Sequence, residues 1–511
     1  MSIAGLPNET LSRIFMFLIP EAFTFWSSLT SFLSPKFAPH HAFDGARIIR
    51  NVCTLWREIV NNDPSLTVPL TIVLDNYGVP CYDARLLMAV VDAQRPPLYA
   101  ALLSTTIIMS SPSSIDAQAS TDVLRLIHRH ANRLRGLIIH IGALSDVPYP
   151  PLLAPNLTDL RIFIDPNYGG AYTYPGLEVE REQAIIYINA IEAPILHTLR
   201  AMLPPSGFTV HPFPYFTPRN TNLLTRLNID VASLIHLTSI LHACPAIQHL
   251  AVCVVHHDWF PTQSYPPQPT SAMPRPVCLR HLHTLKVKAQ PSFMRAVIRL
   301  LWQCTGVRQL YIRQYEDDEG EGAWLDRHWG EITQTWPKLH VLALANFYMS
   351  PSSLVEFMHA LPGLTALAIE PTPDISLYSR SRTLPIDGMF LSAMLSKTPL
   401  LPRLERLSFK GRACRAPSCQ LSDVITARMQ QPPPSACHLR QFVLTPQCCI
   451  RHRDIAQYAD ERVLWELGTS GYDVRLRRST TSRGCRGCIL ELDGGWHRST
   501  VNRRIEGMWQ G

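Results

Sequence analysis

The feature of this sequence that most constrains its fold is a short apolar pattern that returns eleven times. Each copy reads apolar-x-x-apolar-x-apolar, and its leading positions advance by 23 to 40 residues, with a mean of 30.5. The last two apolar positions are two residues apart, which is the spacing of a strand with one buried face. The leading positions are Leu134, Leu157, Leu196, Leu224, Ile247, Leu282, Val307, Leu339, Leu364, Leu404 and Leu439. A period of roughly 20 to 50 residues indicates a stacked repeat protein.

Proline recurs at one fixed position in many of the same units. The chain contains 43 prolines in 511 residues, and six of the eleven copies have one two residues before the leading position. Proline ends a helix and forces the chain to extend. Upstream segments such as Leu354, Phe357, Met358 and Leu361 follow helical spacing. We therefore predict that each unit is a helix, a break and a short strand. The six prolines are Pro155, Pro194, Pro245, Pro337, Pro362 and Pro402.

A single unit of this kind cannot bury its apolar face, whereas stacked units share one continuous core. The pattern resembles leucine-rich repeats over about Ala119 to Leu444. The resemblance implies an α/β solenoid, and the uneven spacing predicts an irregular horseshoe. The alternative is a leucine-rich α/β domain whose periodicity arises by chance.

In leucine-rich repeats, the residues between and after the apolar strand positions line the concave face. Here these residues are mainly basic, with two aromatics, which suits an acidic or phosphorylated protein segment. An ordinary solvated face is the alternative. The candidate substrate-binding residues are Arg161, Phe163, Arg200, Lys286, Lys288, Tyr311, Arg313 and Lys410, and Asn228, Asp230 and Glu370 lie at equivalent positions.

The first 70 residues follow a different pattern. One predicted helix begins after Leu6-Pro7, and a second ends at Asn61-Asn62-Asp63-Pro64, where proline stops it. Leu-Pro-x-Glu-x-Leu-x-x-Ile-Phe-x-x-Leu from Leu6, then Val-Cys-x-x-Trp-Arg from Val52, then Asp63-Pro64-x-Leu66, resembles an F-box. F-box modules are small helical folds that bind the adaptor Skp1, which in turn binds a cullin.

The F-box resemblance implies that apolar positions of this module contact a partner. The residues that match the family's contacts are Leu6, Pro7, Leu11, Ile14, Phe15, Leu18, Val52, Cys53, Trp56 and Arg57. The alternative is that these helices form an apolar cap on the repeat array, because terminal caps are needed in such proteins.

Several functional classes lack support in the sequence. It contains no G-x-x-x-x-G-K-[ST], G-x-G-x-x-G, H-E-x-x-H or G-x-S-x-G motif, so we expect no enzyme and no cofactor. An enzyme or zinc protein built on Cys485-x-x-Cys488 is the remaining alternative, although a second cysteine pair at matching spacing is missing.

The chain's partners and location are also constrained. No apolar run of about 18 residues occurs, so we expect no membrane span. The net charge of +7 is spread along the chain, so we expect no nucleic acid partner. Thirteen scattered cysteines favour a reduced protein in the cytoplasm or nucleus.

Taken together, these patterns predict an α/β protein with four parts. Residues 1–70 form an F-box-like module with an inserted loop, and residues 71–118 form a linker or first capping element. Residues 119–446 form the leucine-rich-repeat solenoid, and residues 447–511 form a C-terminal cap or a partly disordered tail. The resemblances imply a substrate receptor of a Skp1–cullin–F-box ubiquitin ligase. The alternative function is a leucine-rich-repeat scaffold outside a ligase, with or without Skp1.

Overall fold

The computed structural model describes a mixed α/β protein whose strands are parallel. The described residues are Pro7, Thr10, Leu11, 52–62, 70–74, 98–104, 125, 127–140, 151–163, 190–202, 221–231, 234–254, 275–314, 324–347, 349–371, 386–410, 414–415, 419–445 and 455–476. They fall into two compact units, with strands β1 to β6 in the first and β7 to β16 in the second.

In the first unit, six parallel strands pair in chain order. Helix α1 (Thr54–Asn62) precedes them, and a short 3-10 turn comes before β3 and another before β6. The alternative of a chance periodicity is weakened here, because Leu137, Leu160, Leu199 and Leu227 are register partners from strand to strand. The strands are β1 (Leu70–Leu74), β2 (Leu98–Ser104), β3 (Leu134–His140), β4 (Asp159–Phe163), β5 (Thr198–Met202) and β6 (Arg226–Val231).

In the second unit, strands alternate with helices, and the strand order is β7-β8-β9-β10-β11-β13-β15-β16. The strands are β7 (His249–Val254), β8 (Thr284–Ala289), β9 (Gln309–Gln314), β10 (Val341–Phe347), β11 (Ala366–Pro371), β13 (Arg406–Lys410), β15 (Gln441–Thr445) and β16 (Asp473–Leu476). The short strands β12 (Ile386–Asp387) and β14 (Cys414–Arg415) pair separately.

The helices in this part of the chain precede the strands as the sequence predicts. Helix α2 (Leu234–Ala243) comes before β7, and helix α5 (Pro351–His359) buries Leu354, Phe357 and Met358. The others are α3 (Pro291–Leu300), α4 (Trp324–Thr335), α6 (Gly388–Ala393), α7 (Gln420–Gln430) and α8 (Ile455–Thr469).

Several of the repeated segments begin with a tight turn. The amide of Leu364 donates to the carbonyl of Leu361 at 3.1 Å, and Leu157 and Leu404 donate in the same way to the residue three positions earlier. Pro155, Pro362 and Pro402 thus stand at the second position of a four-residue turn, where their fixed φ is favourable. The proline therefore favours the turn that directs the chain into the strand.

A second set of backbone hydrogen bonds joins neighbouring repeats just before their strands begin. The amides of Arg308, His340, Thr365, Glu405 and Arg440 each donate to the residue that follows the leading apolar position of the preceding repeat, at 2.8–2.9 Å. The ladder therefore fixes the register before the strand starts.

The core of the second unit consists of aligned apolar rows. Leu250, Leu285, Leu310, Leu342, Leu367, Leu407 and Phe442 are successive register partners, and all are buried. All eleven predicted segments are strands, so the mixed α/β prediction is confirmed. Strand β1 pairs with β2, and β2 pairs with β3, where the sequence predicted a linker or first capping element. Strand β16 pairs with β15 where the sequence predicted a C-terminal cap or a partly disordered tail.

Candidate protein-binding surfaces

The first candidate surface is the helix that carries the second half of the F-box-like motif. Helix α1 ends at Asn62, as Asp63-Pro64 predicts. Val52 is 54% exposed, Cys53 and Arg57 are exposed, and Trp56 is half-buried, whereas Ile59 is buried. The helix therefore buries Ile59, while Val52 and Cys53, which directly precede it, are exposed.

The structure describes three residues of the first half of the F-box-like motif. Pro7 is exposed, and its carbonyl accepts from the amides of Thr10 and Leu11 at 3.0 Å, as at the start of a helix. Leu11 is completely buried. The contact of Leu11 with a partner stays a prediction of the F-box resemblance. Leu6, Ile14, Phe15 and Leu18 lie outside the described residues.

The predicted binding residues of the first unit form part of one register row. Arg161 on β4 is the partner of Arg200 on β5, which is the partner of Asn228 on β6. Arg161 is only 5% exposed, and its Nε and Nη2 donate to the carboxylate of Asp159 at 3.1 and 3.0 Å. The charge of Arg161 is therefore paired with Asp159 within its own strand, and its role in substrate binding stays a prediction.

The second unit holds the most concentrated of the predicted groups. We define the basic patch as Lys286, Lys288, Tyr311 and Arg313, which lie on β8 and β9. Lys286 is the register partner of Tyr311, and Lys288 is the partner of Arg313. All four side chains are half-buried and alternate with the buried apolar rows, so they share one face of the sheet.

Tyr311 is held in place from two sides. Its hydroxyl donates to Oε1 of Gln309 at 3.4 Å, and Nζ of Lys286 lies 5.2 Å from the centre of its ring. The second contact is a cation–π interaction. The Tyr311 ring therefore has a defined orientation beside the two lysines.

A hydrogen-bonded chain extends from Gln309 across two further strands. Oγ1 of Thr284 donates to Oε1 of Gln309 at 3.3 Å and lies 3.0 Å from Nδ1 of His249. Because the threonine hydroxyl has one proton, Nδ1 of His249 is the donor in the second contact. The chain links β7, β8 and β9 next to the basic patch.

A more distant cation also affects the pKa of Tyr311. Burial raises the pKa of the Tyr311 hydroxyl, and the positive charge of Arg406 acts in the opposite direction. Arg406 lies on β13, beyond β10 and β11, which carry the buried residues Ala343 and Ala368 on this face. The neutral, hydrogen-bond-donating form of Tyr311 is thus maintained.

Sequence patterns identified the basic patch but missed the residues that support it. Thr284 and Gln309 stand two positions before Lys286 and Tyr311, so alternation along the strand places them on the same face. That spacing was the available signal. Lys410 lies on β13 and Phe163 on β4, but their side chains, like Cys485 and Cys488, lie outside the described residues.

Two further findings concern the described part of the chain. Histidine, cysteine, aspartate and glutamate side chains do not cluster in threes there to form a metal site. None of the helices there combines the length and apolar character that a membrane span requires.

Comparison with known proteins gives no family for this chain. Neither the protein-family models nor the curated proteins contain a match.

Proposed function

We propose that this chain is a substrate receptor of a Skp1–cullin–F-box ubiquitin ligase. In this proposal the N-terminal segment is an F-box that binds the Skp1-type adaptor, and the adaptor connects the chain to a cullin. The β/α repeats form a leucine-rich-repeat solenoid that binds a target protein. The chain performs no bond chemistry but raises the concentration of the target near the transferring enzyme.

The observation that carries the proposal is the combination of two features in one chain. The Val-Cys-x-x-Trp-Arg motif lies at an exposed helix start, where Val52 and Cys53 are accessible to a partner. The in-register parallel strands of the repeats supply a regular platform. Repeat platforms bind proteins through extended surfaces.

The test is co-purification of the full chain with a Skp1-type adaptor. Val52→Asp places a charge on an apolar position that is 54% exposed, so it should leave the fold intact. Binding of the adaptor would remove water from this carboxylate, which is unfavourable. We expect at least a roughly tenfold loss of bound adaptor, the size of a strong interface residue. Glu58→Arg, an exposed change on the same helix, is the control and should bind normally.

The outcomes also separate the alternative functions. If the wild-type chain is folded and binds no adaptor, the N-terminal helices are a cap and the F-box proposal is wrong. If it binds the adaptor but no cullin, the chain is an adaptor-bound scaffold outside a ligase.

A further inference from the structure

We propose that a row of basic residues along one edge of the second unit binds single-stranded nucleic acid. The row lies in the turns that directly precede β8, β9 and β10. This inference goes beyond the proposed function and does not depend on it. We define the basic rim as Arg280, His281, His283, Arg308, Lys338 and His340, whose side chains are all exposed.

The first step of the inference is the alignment of these turns. The amide of Arg308 donates to the carbonyl of His283 at 2.9 Å, and the amide of His340 donates to the carbonyl of Arg308 at 2.8 Å. The three residues are therefore neighbours in space although they are far apart in sequence. Successive turns follow the spacing of the strands, about 4.8 Å, so the basic rim is a continuous row.

This alignment changes an expectation that came from the net charge. We expected no nucleic acid partner because the basic residues are spread along the sequence. Stacked repeats bring equivalent positions of each unit together. Residues that are scattered in sequence thus form the clustered positive surface that nucleic acid binding requires.

The second step is the balance of charge along the edge. Arg280, Arg308 and Lys338 form no ion pair within the part of the chain that the structure describes. A carboxylate occurs at an equivalent position before β13, where Glu405 lies 3.8 Å from Arg440 of the next turn. The edge therefore has an excess of positive charge, concentrated at the turns before β8, β9 and β10.

The nearest acidic groups in sequence do not cancel this excess. Glu331 on α4 already accepts from two arginines of α3, at 3.1 and 3.3 Å. Glu356 is exposed on α5, in the repeat after the basic rim. The acidic run from Glu316 begins two residues after Gln314, the last residue of β9. Arg308 precedes the same strand, so about 20 Å of extended chain separates it from Gln314.

The third step is an exposed aromatic side chain at the same edge. Trp302 follows α3 and is 55% exposed, whereas tryptophan is highly buried on average. The carbonyl of Leu300, two residues earlier, accepts from the amide of Val277 at 2.8 Å. Val277 stands three residues before Arg280, so the turn that carries Trp302 is joined to the segment that begins the basic rim.

These features together favour a single-stranded nucleic acid over other anions. Proteins bind single strands through a positively charged surface that follows the backbone and through aromatic side chains on which the bases stack. Histidine rings stack with bases as well, and three histidines alternate with the three cations of the basic rim. An acidic peptide would use the charges and leave the rings without a partner.

The experiment uses the full chain with fluorescent 12-nucleotide oligouridine and oligothymidine. The competing anions are a 12-residue glutamate peptide, a 12-base-pair DNA duplex and vesicles of phosphatidylserine and phosphatidylcholine. We expect the wild-type chain to bind the single strands at least about tenfold more tightly than each competitor. A preference for oligouridine or oligothymidine identifies the source, and either supports the proposal. Equal or tighter binding of the peptide, the duplex or the vesicles overturns it.

The variant Arg280→Gln/Arg308→Gln removes two charges of the basic rim from exposed positions and should keep its thermal midpoint. Each phosphate contact to a single strand contributes about 0.7 to the slope of log affinity against log salt concentration, so the slope should decrease by about 1.4. The affinity should decrease about tenfold. Arg327→Gln/Arg462→Gln removes the same two charges from exposed positions of α4 and α8 and should keep both the slope and the affinity. Equal effects of the two double variants would overturn the proposal.

The variant Trp302→Leu tests the stacking contribution separately. It keeps an apolar side chain and removes the ring, so we expect at least an approximately fivefold loss of affinity for both strands, the size of one stacked base. The salt slope should not change, because no charge is lost. An unchanged affinity would show that the bases do not stack at this edge and would overturn the assignment to single strands.

Discussion

Arg428 on α7 is fully buried, although arginine is among the residues least often found inside proteins. Its Nη1 donates to the carbonyls of Met394 and Leu400 at 3.2 and 3.4 Å, and its Nη2 donates to Leu401 at 3.1 Å. Leu401 has a φ of +53°, an unfavourable value for a residue with a side chain. The guanidinium therefore donates to the carbonyl at the end of α6 and to two carbonyls of the segment that follows it, and it fixes a strained turn.

Arg428→Met should be strongly destabilising, because methionine fills similar space but removes the guanidinium donor from the carbonyls of Met394 and Leu400, whereas the Leu401 carbonyl keeps only the amide of Leu404. We expect a loss of about 3 kcal/mol in the free energy of unfolding, the upper range for buried unsatisfied groups. Chemical denaturation measures it. Arg462→Met, at an exposed position of α8, is the control and should change stability little; equal effects would contradict the assigned role.

Asp460 on α8 is a second buried charged group, 5% exposed. Its Oδ1 accepts a hydrogen bond from the backbone amide of Ser422, in the first turn of α7, at 2.7 Å. The N-cap residue of α7, Cys419, makes no side-chain capping hydrogen bond. Burial raises the pKa of the Asp460 carboxyl, hydrogen bonds from Ser422 oppose that change, and the negative charge of Asp423 adds to it. Asp460 thus caps a neighbouring helix while its ionised form is disfavoured.

Asp460→Asn should change the pH dependence of stability. A raised pKa in the folded state means that the wild type gains stability as the pH falls through that value, and the gain is complete below the unfolded pKa. Asparagine accepts the same hydrogen bond but does not titrate. Relative to the variant, the wild type should therefore become more stable between pH 7 and pH 3.

Unfolding curves across that pH range test this prediction. Glu466→Gln, on the exposed side of α8, is the matched control. A wild-type advantage over Asp460→Asn that grows with rising pH would show that the pKa is lowered instead.

At the scale of elements, neighbouring helices are joined through their ends. Ser350 is the N-cap of α5, and its hydroxyl accepts from the amide of Ser353 at 3.2 Å. The Ser350 amide donates to Oδ1 of Asp326 on α4 at 2.8 Å. One residue therefore begins a helix and connects it to the helix of the preceding repeat.

Ser350→Ala should lower the stability by about 1 kcal/mol, because it removes the side-chain acceptor of the capping bond. Thermal or chemical unfolding measures the change. Glu356→Ala, at an exposed position of the same helix, is the control. A Glu356→Ala effect as large as that of Ser350→Ala would contradict the capping role.

The strands were predictable from sequence because their signal is local. Leu339, Leu342 and Leu344 carry the pattern within six residues, and the pattern alone predicts β10, which contains Leu342 and Leu344. The strand β16 was not predictable with the same security. Its sequence alternates but lacks the leading leucine, and it is stabilised by pairing with β15 and by packing against α8.

At the scale of the whole molecule, predictability decreased as contacts became more distant in sequence. Lys286 and Tyr311 could be assigned to one face by alternation, but their mutual contact depends on the register of two strands 25 residues apart. The neutralisation of Arg161 by Asp159 and the burial of Arg428 depend on side-chain packing, which composition does not reveal. The basic patch was thus predicted as residues and not as a site.

The proposed function requires two separate binding surfaces on one chain. The adaptor surface involves Val52 and its neighbours, and the target surface involves the basic patch. Because the two contain different residues, their variants should have independent effects.

The most direct measurement is quantitative affinity purification of the full chain from cells of its source, comparing wild type, Val52→Asp and Lys288→Gln/Arg313→Gln. The proposed function predicts that Val52→Asp loses the Skp1-type adaptor and the cullin but keeps a partner protein bound through the repeats. The double variant should lose that partner and keep the adaptor. Absence of the adaptor from the wild-type purification, with the chain folded, would contradict the central claim.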